Sequence, residues 1–188
     1  DDERLTRLRQ RYESRYIAAW IEFLGGLQLQ RPGDLPAASR LLAELTAEDR
    51  PLRRIFQGVE EHTRGLQQLR LQDRSLVDVL HQADHPTRSA AIVRTFSPLL
   101  GFVVSRTDQP PGLERYHARL EDVQTAVAAT LRDPTATAEL QTAVQTAISD
   151  THALLLRADL RQFQPLLANL LLPPLDSSLI YNGPVAVL

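Results

Sequence analysis

The sequence predicts an all-α fold, a multi-helix, bundle-like array. Three observations carry this. Apolar residues recur at three- and four-residue spacing along most of the chain, which gathers them on one helical face. Capping residues, Pro and Gly stand where each periodic stretch begins or ends. The stretches follow one another through short loops, which favours antiparallel neighbours. At 188 residues the chain is long enough for one full core or two small helical subdomains.

The first predicted helix spans residues 3–27. Leu5, Leu8, Tyr12, Tyr16, Trp20, Phe23 and Leu27 form a single stripe on it. Because aromatic side chains bury large areas, this stripe is expected to anchor much of the core. Gly25 and Gly26 end the helix. Asp34 is placed to cap a second helix over 35–46, with Ala38, Leu41, Leu42 and Leu45 inward. A third helix opens at Pro51, where a missing N–H costs nothing. It turns Leu52, Ile55, Phe56 and Val59 inward and is expected to end near 63–65. Residues 64–74 are polar, basic and ambiguous. Ser75 caps a short helix reaching His81, and 84–86 breaks the chain.

A further helix is predicted over 87–104, with Ala91, Val93, Phe96, Leu99 and Leu100 buried and a kink or restart at Pro98. Residues 107–112, TDQPPG, are the strongest linker signal. They divide the array into two helical subdomains, 1–106 and 113–172. Leu113, Tyr116, Leu120, Val123, Val127 and Leu131 make one face of the helix over 113–131. Asp133-Pro134 caps an Ala- and Thr-rich helix to about residue 157, and Pro165 interrupts the last helical stretch, 159–172. From Pro173 the helical period disappears. Residues 173–188 are predicted as a short extended C-terminal tail, with Leu179, Ile180 and Tyr181 as a strand before the turn residues Asn182 and Gly183.

Composition excludes several functions. A net charge of −2 lacks the basic excess of a nucleic-acid binder. Every residue in the Lys-plus-Arg count is Arg, so neither a phosphate-loop lysine nor a Schiff-base lysine exists. The absence of Cys removes thiol nucleophiles, disulfides and zinc–thiolate sites. The start at Asp1 rather than Met reads as an excised or processed fragment. The apolar runs 99–104 and 166–172 are too short to span a bilayer, so any membrane segment is expected outside this stretch.

Four side-chain groupings have the residue types of a site. Glu114 and His117 have the spacing of a carboxylate-bridged di-iron motif, and Asp78 and His81 repeat it with the shorter acid. The two further inward Glu residues such a site needs are missing, and His117 is expected to point partly to solvent. His81 and His85 have a zinc-binding spacing, but no third ligand is visible. Ser75, Asp78 and His81 share a helical face, yet no strained nucleophile turn accompanies them. The arginines at 4, 7, 9, 11 and 15 stand among Asp1, Asp2, Glu3 and Glu13, which favours a mixed solvated face over a lipid- or phosphate-binding one. No catalytic, cofactor or metal site is therefore expected.

The order of motifs resembles the TssM (IcmF/VasK) family of inner-membrane proteins of the bacterial type VI secretion system. Tyr12, Tyr16, Trp20, Phe23 and Leu24 begin the likeness, and Ala37, Leu41 and Leu45 continue it. A block from Pro51-Leu52 through Ile55-Phe56 and Val59 closes on His62-Thr63. Val93, Phe96, Leu99 and Leu100 follow, then Tyr116, Leu120 and Val123. The likeness covers most of residues 10–172. It implies a periplasmic helical region, with membrane helices and an NTPase-like domain upstream. A β-rich domain that binds the outer-membrane lipoprotein TssJ would follow downstream, and 178–188 would be its first piece. The role implied is a structural spacer without enzymatic activity, kept rigid by Tyr12, Tyr16, Trp20, Phe56, Phe96 and Tyr116. A stand-alone helical adaptor is the alternative, and a metal enzyme using His81, His85, Glu114 and His117 is the third.

Overall fold

Residues 2–48, 50–72, 90–104 and 110–176 are described by the structure, a computed structural model. Among them are seven α-helices and no strand. They are α1 (Asp2–Gly25), α2 (Leu35–Thr46), α3 (Pro51–Gln72), α4 (Ala90–Val103), α5 (Gly112–Arg132), α6 (Thr137–Leu155) and α7 (Gln164–Leu171). Short 3-10 turns occupy Pro134–Ala136, Ala158–Leu160 and Pro173–Leu175. The all-α prediction stands.

The centre of the molecule is α5 rather than α1. It packs along α6 and α2 and also meets α4. Leu113, Tyr116, Leu120, Val123 and Val127 are all buried, as their spacing predicts, while Leu131 at the far end is exposed. The α5–α6 pair is an antiparallel hairpin whose turn is set by Asp133. Its carboxylate accepts from the Thr135 backbone N–H at 2.9 Å and from the Thr135 hydroxyl at 2.7 Å. On the other side, the Thr46 hydroxyl of α2 donates to Gln124 Oε1 of α5 at 2.8 Å. One hydrophobic cluster holds buried side chains from α1 to Leu175. Residues 107–109 of the predicted linker lie outside the described residues.

The predicted helix starts have the expected chemistry. The Asp34 side chain accepts from the Ala37 backbone N–H at 2.7 Å and caps α2, which buries Ala38, Leu42 and Leu45. Pro51 opens α3, but this helix continues to Gln72, well past its predicted end, through Gly65 and the polar run that follows. In α4 the chain passes Pro98 without a restart. Its buried face is Ile92, Phe96, Leu99, Leu100, Phe102 and Val103; Ala91 and Val93 are only half-buried. Pro165 starts α7 rather than interrupting it, because a Pro in the first turn sacrifices no hydrogen bond. Residues 173–175, predicted as the start of the extended tail, are not extended. Pro173–Leu175 is a 3-10 turn, and Pro174 and Leu175 are buried in the core. Asp176 just beyond it pairs with Arg31 at 3.2 Å. The predicted strand at 179–181 lies outside the described residues.

The largest correction concerns α1. Its stripe is not the core anchor its period suggested. Leu5, Leu8, Tyr12 and Phe23 are 58%, 66%, 56% and 58% exposed. Tyr16, Trp20 and Leu27 are half-buried, and Leu24 is fully buried. The side turned inward carries Tyr16, Ile17, Trp20 and Leu24 and packs on α4 and α7. Trp20 stacks near His62, with ring centroids 5.3 Å apart, and the Tyr16 hydroxyl donates to the His62 carbonyl at 3.1 Å. Of the six aromatics expected to hold the array rigid, Phe56, Phe96 and Tyr116 are fully buried.

Candidate functional site

The polar groupings do not converge on a reaction centre among the described residues. Ser75, Asp78, His81 and His85 lie outside them. Of the Glu114–His117 pair, Glu114 is exposed and His117 is 3% exposed. The two therefore do not share an accessible face. No group of three or more His, Cys, Asp or Glu residues that could hold a metal occurs among the described residues.

His117 was expected to face solvent in part. It is buried instead, with Arg50 and Arg53 at the start of α3 close enough to act on it. Neither ring nitrogen has a hydrogen-bond partner among the described residues. Burial lowers its pKa below the ordinary 6.5, Arg50 and Arg53 reinforce that, and Glu121 and Glu114 oppose it. The Arg50 backbone beside this flank has a φ of 41°, a left-handed conformation uncommon outside glycine. Its carbonyl accepts from the N–H groups of Arg53 and Arg54, satisfying donors at the start of α3.

A pH dependence follows. The folded state holds His117 neutral, whereas the unfolded chain protonates near 6.5. The unfolded state therefore binds the extra proton as pH falls, so stability is present above 6.5 and lost as pH drops through the lowered folded pKa. The loss is at most about 1.4 kcal/mol per pH unit. Urea midpoints from pH 7.5 to 5 should fall less steeply for His117→Leu than for the parent, since an apolar residue has no proton to take up there. Parallel profiles would refute the assignment.

The second feature is the outer face of α1. Every described side chain from 3 to 12 is exposed, so this half of the helix projects beyond its neighbours. Leu5, Leu8 and Tyr12 lie in line along it, and Phe23 continues that line about three turns further on. Arg7 pairs with Glu3 at 3.6 Å, an i,i+4 pair in full solvent. Arg4, Arg11 and Arg15 make no ion pair with a described residue. Periodicity found this stripe but not its exposure, because a stripe that awaits a partner has the same spacing as one that has found its core.

Residues 2–64 match the IcmF-related family. The family description is intracellular multiplication and human macrophage-killing. The match takes in α1, α2 and about the first two thirds of α3, about a third of the chain. It supports a relationship to the IcmF-like proteins of type VI secretion, and it contains both the exposed face of α1 and the Pro51 block of the resemblance. The pieces at 93–100 and 116–123 fall beyond it. No curated protein and no solved structure matches the chain. No described helix is long and apolar enough to cross a membrane.

Proposed function

We propose that the chain is a non-enzymatic structural part of a type VI secretion membrane complex of the TssM kind, a periplasmic helical spacer between the inner membrane and the outer-membrane lipoprotein TssJ. The family match over 2–64 is the observation that carries the reading. The single hydrophobic cluster running from Leu24 to Leu175 is compatible with it, since a spacer must not deform under load.

Two measurements test it. The chain has no Cys, so Gln145→Cys on the exposed side of α6 supplies one thiol for labelling in the parent protein. A maleimide that cannot cross the inner membrane should label it in intact cells; labelling only after lysis would place the chain in the cytoplasm and overturn the proposal. Titration against the lipoprotein should show binding only when the chain is extended through the parent's C-terminal region. Tight binding by residues 1–172 alone would place that interface on the helices and defeat the spacer role.

A further inference from the structure

We infer that the projecting half of α1 is a docking surface for an amphipathic helix whose apolar stripe is edged by carboxylates. This goes beyond the spacer reading, which gives the face no role, and it concerns a partner distinct from the lipoprotein.

The shape of the face comes first. At about 100° per residue, Leu8, Tyr12 and Leu5 fall within an arc of about 60°. That is the narrow seam of a helix pair rather than the broad apolar face of a helix lying in a bilayer. All three are more than half exposed, and the helix beneath them is held by Tyr16, Trp20 and Leu24. The seam is therefore carried on a helix anchored one to three turns further along.

Charge then selects the occupant. Arg11, Arg4 and Arg15 fall in the adjoining arc of about 40°, along one edge of the seam. None is paired with a described residue. Glu22 continues the same edge two turns beyond Arg15, and Glu3 is engaged with Arg7 on the far side. The edge beside Leu5, Leu8 and Tyr12 is thus uniformly cationic. A second copy fits it poorly: in a two-fold antiparallel pairing the same edge meets itself, setting Arg4, Arg11 and Arg15 against their own equivalents. A membrane fits it poorly too, because the acids at 2, 3, 13 and 22 leave α1 close to neutral, without the basic excess that binds anionic lipid. A helix with acidic residues flanking its own apolar stripe satisfies both the seam and the row.

The test uses the whole chain and two synthetic helical peptides of about three heptads, both with Leu at the core positions. One carries Glu on both edges, the other Lys. By fluorescence anisotropy at low salt the Glu-edged peptide should bind roughly tenfold or more tighter than the Lys-edged one. The difference should shrink as salt rises. Leu8→Asp with Tyr12→Asp should abolish binding, and Arg4→Glu with Arg11→Glu and Arg15→Glu should reverse the preference; all five positions are exposed, so unchanged circular dichroism checks that the variants fold. Equal affinity for the two peptides would overturn the inference. So would binding of neither, a dimer of the free chain that Tyr12→Asp dissociates, or tight binding to phosphatidylglycerol vesicles lost with the same arginines.

Discussion

Tyr116→Ala is expected to remove about 3–5 kcal/mol of unfolding free energy, the usual cost of deleting a large buried ring. Tyr116 is fully buried near the start of α5, the helix that α2, α4 and α6 all touch. Its hydroxyl donates to the Leu171 carbonyl at the end of α7, 2.9 Å away. Burial raises the hydroxyl pKa, so it stays protonated and a donor throughout the working range. The ring and the hydroxyl can be separated. Tyr116→Phe keeps the volume and strands the carbonyl, for about 1–3 kcal/mol. Since a domain's whole stability is about 5–15 kcal/mol, the alanine variant should lose a large part of it. Urea midpoints at fixed slope measure both. A midpoint for Tyr116→Ala within error of the parent would show that α5 is not the centre of the core.

The helix order was legible in the sequence because its signals are local. Asp34, Pro51 and Asp133 act on backbone groups within a few residues, and each does so in the structure as expected. Pro165 was expected to interrupt a helical stretch and instead lies in the first turn of α7, because a proline has opposite meanings at different places in a helix, and the place is decided by packing. The inward faces of α2, of α3 up to Val59 and of α5 up to Val127 were legible because neighbouring elements pack over them there. On α1 the same period gave the wrong burial. Its apolar residues are divided between an inward flank at Tyr16, Ile17, Trp20 and Leu24 and an outward line at Leu5, Leu8, Tyr12 and Phe23, and spacing alone does not rank the two. His117 shows the same limit from the other side. Whether a polar residue beside an inward Tyr meets water depends on elements distant in sequence, here the chain around Arg50 and Arg53.

The second large effect is expected where α3, α4 and α5 meet, and it is a test of fit rather than of burial alone. Phe102 of α4 is fully buried and meets Phe56 of α3 edge-on, with centroids 6.2 Å apart. Its ring also lies against Gly112, the first residue of α5. A Cβ on Gly112 would come within 2.5 Å of Phe102 Cδ2 and Cε2, a distance no real contact tolerates. A buried ring has no solvent to retreat into, so Gly112→Ala should cost about 1–3 kcal/mol by overpacking. Phe102→Ala should cost about 3–5 kcal/mol through the cavity it leaves. The two substitutions should not add. The methyl group that clashes with the ring fills part of the space once the ring is gone. In the Phe102→Ala background, Gly112→Ala should therefore be neutral or stabilising, with a coupling of about 1–3 kcal/mol. Denaturation of the four proteins in the cycle measures this directly. Additive losses would mean that the glycine serves the turn into α5 and not the ring, and that the close approach of α4 to α5 is not what fixes residue 112.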